Sequence, residues 1–395
     1  MKHDWEIKKL GDVADIGAGN SAPQDKSLFV NGLYPFIRTS DVGKIKIGKI
    51  NSASDLLNDE GIKKLKKYPI GTILLPKSGA STFLNHRVIM NMTGYVSSHL
   101  ATVVPNENYA LKEFIHYYLI LIKAQDLIQD HAYPSLKLSD IKEIPILIPP
   151  IEVQKRIVAK LDQCFESIDK ARANVEKNLQ NAKDLFQSQL NQIFSKQDFS
   201  IYKSLDEISY KITDGSHNPP KAQESGLMML SGRNIKDNGI DYTKVRFIKE
   251  HDFNSENKRT DIQYGDVLLT IVGTIGRTTV YPKDVPKVAF QRSVAVIKPK
   301  DLINSYFLSY CFQSPPYQTQ MNQKAREVAQ KGIYLKTLRK MLIPILSLES
   351  QKRIVKKLDK FKNHNQILQS NYQQELDALD ELKKSILEKA FNGEL

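Results

Sequence analysis

One long motif occurs twice in this chain. Ile144-Pro145-Ile146-Leu147 leads into Gln154-Lys155-Arg156-Ile157-Val158-Ala159-Lys160-Leu161-Asp162. Ile343-Pro344-Ile345-Leu346 leads into Gln351-Lys352-Arg353-Ile354-Val355-Lys356-Lys357-Leu358-Asp359. The match extends further, because Gly71-Thr72-Ile73-Leu74-Leu75 recurs as Gly265-Asp266-Val267-Leu268-Leu269 and Gly79 recurs as Gly273. A duplication of this length requires two similar globular units, each followed by a helical one. Such an architecture suits a molecule that grips two places on something long.

The local pattern divides each copy the same way. Short β-favouring runs at 34–38, 72–76, 87–91 and 101–104 are bounded by Gly, Pro and Asn and read as strands. A helix is expected over 111–130, where Phe114, Ile115, Tyr118, Leu119 and Ile122 share a face. Residues 144–150 read as an extended exit segment. Beyond Ile151 the apolar positions Ile157, Leu161, Phe165, Ile168, Val175, Leu179, Phe186, Leu190 and Ile193 recur at helical spacings, without glycine or proline. That predicts a helix of about 45 residues, roughly 68 Å long at 1.5 Å per residue.

The second copy offers strands at 228–230, 267–271, 278–281 and 293–297, a helix at 304–312 and a break at Pro315-Pro316. A closing helix is expected from about 348 to 390. A lone helix of this length leaves its stripe uncovered, and two matched helices can cover each other as an antiparallel pair. The expected fold is α+β: two tandem globular α/β domains, at 1–150 and 199–346, separated by two long helices, at 151–198 and 347–395. These helices would pack as an antiparallel coiled coil with pseudo-twofold symmetry.

Charge and cysteine usage narrow the partners. Lys and Arg total 57 against 44 Asp and Glu, a net charge of +13, which points to a polyanion and to nucleic acid ahead of membrane. Cys164 and Cys311 stand in unrelated contexts, excluding a disulfide framework and a cysteine zinc site and fitting a reducing compartment. The opening residues lack the apolar core of a signal peptide. The longest apolar stretch, 144–151, holds three prolines and is too short to span a bilayer. A cytoplasmic protein without a membrane partner is expected.

With these residues in place, the chain resembles the specificity subunit of type I restriction–modification systems over essentially its whole length. The resemblance is carried by the domain openers Trp5-Glu6-Ile7-Lys8-Lys9-Leu10-Gly11-Asp12-Val13 and Leu205-Asp206-Glu207-Ile208. It is carried also by Asp214-Gly215-Ser216-His217, by the block from Gly265 to Gly276, and above all by 146–162. In that last segment Val153 replaces the glutamate usual in the family. The second copy lacks Pro-Pro and has Ser350 at the position of Val153.

The resemblance implies a non-catalytic DNA-reading subunit. Each globular domain would be a target-recognition domain reading one half of a bipartite target in double-stranded DNA, and the helices would set the gap. It further implies two methylase subunits that methylate adenine and two restriction subunits for ATP-dependent cleavage. No cofactor is expected on this chain, with S-adenosylmethionine on the methylase and ATP and Mg on the restriction partner. The competing reading is a stand-alone DNA-binding scaffold or regulator that needs no methylase.

The chemistry-bearing motifs agree with an absence of catalysis. Asn218-Pro219-Pro220 resembles the adenine-methyltransferase motif, but Lys221 follows where an aromatic must stack on a flipped base, and no Gly-rich cofactor loop lies upstream. A turn is the better reading. Gly273 and Gly276 lack a Walker lysine, and His86, His99 and His131 share no ligand spacing.

DNA contact is expected from polar and basic loop residues at equivalent places. The first domain offers Arg38, Thr39 and Ser40, then Lys77, Ser78, Ser81 and Arg87. The second offers His217, Lys221, Arg233, Asn234, Thr274, Arg277, Gln291 and Arg292. Arg suits bidentate reading of guanine and Asn of adenine, whereas Lys and Ser more often hold phosphate. The loops differ between domains, so an asymmetric target is expected. On the helices, Phe165, Phe186, Phe361 and Phe391 are expected to remain on outer faces as methylase contacts.

Overall fold

The computed structural model describes residues 5–128, 130, 132–196, 199–237, 239–326 and 332–395; His131 lies outside them. Two compact units emerge: Met1–Val175 with Glu375–Leu395, and Glu176–Gln374.

In the first unit a five-stranded sheet runs in the order Ala14–Ala18, Leu100–Pro105, Ile73–Pro76, Arg87–Met90, Ile47–Ile50. All neighbours are antiparallel except the last pair. A smaller sheet places Tyr34–Ile37 between antiparallel Asp55–Leu57 and parallel Tyr95–Val96. The helix Lys112–Leu121 buries Phe114, Ile115 and Leu119 against the larger sheet's core. It stops well short of residue 130, and the buried Arg87 guanidinium supplies the reason. Its Nε donates to Leu119 O and its Nη2 to Ile122 O, at 3.1 and 3.0 Å, capping the last turn with a cation.

The opener Glu6–Lys9 pairs antiparallel with Pro145–Ile148, so the exit segment is a strand. The first long helix, Ile151–Lys196, leaves from that strand. Its Ile157, Leu161, Phe165 and Ile168 join one core with Leu387, Ala390 and Phe391 from the end of the second long helix, Leu348–Phe391. Asp169 accepts from Lys383 Nζ at 3.0 Å, and Arg172 pairs with Asp380. Partner numbers fall as the first helix advances, so the helices are antiparallel here.

The second unit repeats the scheme. Its larger sheet runs Ser209–Asp214, Val294–Pro299, Val267–Thr270, Thr278–Val280, and its smaller one flanks Leu227–Leu230 with antiparallel Arg246–Ile248 and parallel Val288–Phe290. Tyr202–Ser204 pairs with Leu342–Pro344 as the opener does in the first unit. The helix Ser305–Gln313 is capped by Asn304, whose side chain accepts from Phe307 N at 3.0 Å. Pro315 ends nothing by itself: it opens the next helix, Pro315–Arg326, at the first position, where a missing N–H costs little. Asn365 Nδ2 donates to Ala182 O at 2.6 Å and Phe186 stacks on Phe361, an antiparallel pairing again.

The duplicated motif fastens each helix to its domain. Gln154 is fully buried; its Oε1 accepts from Leu111 N, and its Nε2 donates to Tyr109 O and Pro149 O. Gln351 does the same with Asn304 N, Leu302 O and Leu346 O. Two turns on, Asp162 accepts from the Tyr117 hydroxyl and Asp359 from that of Tyr310, each at 2.5 Å.

Candidate nucleic-acid interface

Four loops of the first unit meet at one end of its sheets. Asn20 bridges to Ser97, Ser97 N donates to Ile37 O just before Arg38, and Lys77 N donates to His99 O. Ser78 Oγ lies 2.8 Å from His99 Nδ1, and Ser81 Oγ donates to Ser78 O at 3.3 Å. Gly19 makes the convergence possible, because a Cβ there would sit 2.3 Å from the carbonyl oxygens of Val96 and Ser97.

Arg38, Thr39 and Ser40 open the helix Thr39–Ile45, with Ser40 exposed. Arg38 is paired with Asp55 and lies over the rings of Phe29 and Phe36. Below them the buried Asp41 carboxylate accepts from the amides of Arg38 and Ser54 and from Ser54 Oγ. Burial by itself would raise this carboxyl, but those hydrogen bonds, with Lys44 beside it, outweigh burial and hold it below its ordinary value.

Sequence reading missed a fifth member, the run Lys63-Lys64-Leu65-Lys66-Lys67. All four lysines are exposed. The run is buttoned to the loop end by Asn20, whose Nδ2 donates to Lys66 O at 2.9 Å and whose Oδ1 accepts from Lys66 N at 2.8 Å. A charge run beside a turn was the available signal.

The second unit rebuilds this end with other side chains. Ser216 bridges to Gln291, Gln291 N donates to Leu230 O, Arg292 N to Ser216 O, and Ile271 N to Ser293 O. Gly215 repeats the close approach of Gly19, since a Cβ there would sit 2.1 Å from Phe290 O. The buried Asp214 carboxylate takes His217 Nε2 at 2.9 Å on one oxygen and Arg259 Nη2 at 2.5 Å on the other. His217 and Arg292 line one cavity with Asp214, Val272 and Tyr334. Arg233 projects exposed from the short turn Gly232–Asn234, and Thr274 from the tight turn after Ile271. Lys221 is exposed one residue beyond Pro220, whose carbonyl accepts from Arg246 Nη1. Arg277 is placed apart, lining a different cavity with Lys236 and Lys362.

Three expectations are corrected. Arg87 is fully buried and spends its guanidinium on the carbonyls of Leu119, Ile122 and His86, so it faces helix ends and no ligand. Asn234 is buried as the counterpart of Asp41, its Oδ1 accepting from Ser231 N and its Nδ2 donating to Asp241 O and Lys244 O. The four phenylalanines do not stand free on outer faces: Phe165 and Phe391 are buried, and Phe186 and Phe361 are half-buried. Phe165 packs edge-on to Tyr117 under Lys383 Nζ, Phe391 against Phe114 and Tyr118, and Phe186 against Phe361 and Tyr310. Their spacing along the apolar stripe reflects this core.

The sequence matches the type I restriction modification DNA specificity domain over residues 2–178 and again over 221–378. The chain therefore belongs to that family and carries its domain twice. Among relatives, it is 29% identical over 275 residues to the type I restriction enzyme EcoBI specificity subunit of Escherichia coli, an alignment covering 63% of this chain and 58% of that protein. It is 30% identical over 169 residues to the MjaIX specificity subunit of Methanocaldococcus jannaschii, covering 42% and 38% respectively. The chain thus aligns with less than two thirds of either relative. A solved chain from work on complex assembly and conformational transition of the type I R-M system shares the fold, with a TM-score of 0.78 at 21% identity over 100% of this chain and 99% of that one. Among the described residues no helix is long and apolar enough to cross a membrane.

Proposed function

We propose that this protein is the DNA sequence-specificity subunit of a type I restriction–modification complex, each domain reading one half of an asymmetric bipartite target. The observation that carries this reading is one loop end built twice on one scaffold with different side chains. Ser97-Ser98-His99 stand where the other unit has Gln291-Arg292-Ser293. Common backbone bonds hold the loops, and unlike side chains fill them, as two unlike half-sites require.

The reading residues are Arg38, Thr39, Ser40, Lys77, Ser78 and Ser81 in the first domain. In the second they are His217, Lys221, Arg233, Thr274, Gln291 and Arg292. The long helices fix the distance between half-sites and recruit two methylase subunits, which bring S-adenosylmethionine for adenine methylation. Two restriction subunits add ATP- and Mg-dependent cleavage, and the complex acts on double-stranded DNA in the cytoplasm. Single-molecule methylation mapping of host DNA with and without this chain tests the reading. Loss of one bipartite adenine-methylated motif on deletion is expected. An unchanged methylome in cells expressing the chain and its methylase would overturn it in favour of a scaffold or regulator.

A further inference from the structure

The two domains differ in how their arginines are employed. Residues 1–150 contain only two, Arg38 and Arg87. Arg87 is buried on carbonyl groups, and Arg38 is held by Asp55 and two aromatic rings. Arg38 thus has its Nε committed to Asp55 and its guanidinium laid over two rings. In the second domain Arg292 is exposed, and its side chain has no hydrogen-bond or ionic partner among the described residues. Its backbone, in contrast, is pinned: Arg292 N donates to Ser216 O at 2.8 Å, Gln291 N to Leu230 O at 2.8 Å, and Val294 N closes the turn on Gln291 O at 3.0 Å.

The surroundings favour a base edge over a bare phosphate. Arg292 borders a concave cavity whose other walls include His217, Val272, Ile333 and Tyr334. The acid in that cavity, Asp214, is already engaged by His217 and Arg259, so it does not draw the Arg292 guanidinium away. A free, planar, five-donor fork on a rigid turn matches the O6 and N7 acceptors that guanine alone presents side by side in the major groove.

We infer that Arg292 is a specificity-determining residue by which the second domain reads a guanine. This rests on the proposed DNA-reading function and adds the chemistry of one base pair to it. The test uses the full chain, with its methylase where that is needed for binding, and a library of duplexes randomised across the target. The wild-type protein, Arg292→Ala and Arg292→Lys are compared, with thermal melting to establish that each variant is folded.

The expected result is that Arg292→Ala loses preference for guanine at one position of one half-site, by about tenfold to a hundredfold, with every other position unchanged. Arg292→Lys should keep overall affinity yet relax the same position, because an ammonium is a point donor and cannot form the fork. Uniform weakening across all sequences in Arg292→Ala, or full selectivity in Arg292→Lys, would overturn the assignment and make Arg292 a phosphate contact. Absence of any sequence preference in the wild-type protein would instead defeat the underlying DNA-reading function, an outcome visible before either variant is measured.

Discussion

A buried arginine without a carboxylate is costly unless its hydrogens are spoken for. Arg87 spends three of its N–H groups on the carbonyls of Leu119, His86 and Ile122, two of them at a helix C-terminus whose dipole favours a cation. Burial pushes its pKa down to about 10, which leaves it charged near neutral pH. Arg87→Met keeps much of the volume but strands those carbonyls, and should lower stability by about 2–4 kcal/mol in denaturant titrations. The salt dependence of DNA binding should not change; a shallower slope would return Arg87 to the interface.

Asp41 offers a pH handle on the same domain. Its folded pKa lies below the ordinary 3.8, so its contribution is complete above that value and is lost as pH falls through the folded one. The wild-type chain should therefore lose stability in acid below about pH 4, and Asp41→Asn should lack that component. Melting curves across that range decide it. Asparagine is accommodated at this place, since Asn234 already fills it in the second unit.

At the scale of elements, the repeated Gln and Asp explain why the duplicated motif is the most legible part of the sequence. The glutamine satisfies the first free N–H of one helix and two loop carbonyls, so the long helix leaves its domain in a fixed register. Truncating Gln154 or Gln351 to Ala strands one buried amide and two carbonyls, and each change should cost about 2–3 kcal/mol by chemical denaturation. Loss of only a few tenths would mean that water replaces the side chain.

Periodicity revealed the long helices because forty-residue stripes average out local noise, and the central strands because they are apolar throughout. It failed at 122–128, where a distant arginine ends the helix, and at the opener strands, whose partners lie far away in sequence. It failed also for the phenylalanines. An apolar stripe predicts burial without saying against what, and a domain covers faces that a two-helix pairing would leave open. The loops proposed to read DNA were located through the repeat, but Arg87 and Asn234 looked like their neighbours because loop composition does not encode burial.

At the scale of the molecule, a charge of +13 is a statement about association before it is one about recognition. The run around Lys66 is where that charge meets the proposed DNA-facing end of the first domain. Lys63 is paired with Glu60, and Lys66 with Asp15 at 3.4 Å, whereas Lys64 and Lys67 have no ionic partner among the described residues. If each neutralises one phosphate, Lys64→Ala and Lys67→Ala should each flatten the plot of log affinity against log salt by about 0.9. Affinity should fall alike on target and scrambled duplexes, leaving the preferred sequence unchanged. A variant that altered selectivity at one base while keeping the wild-type slope would place that lysine on a base edge, the role assigned here to Arg292. The two measurements together separate the charge that holds DNA from the side chains that read it.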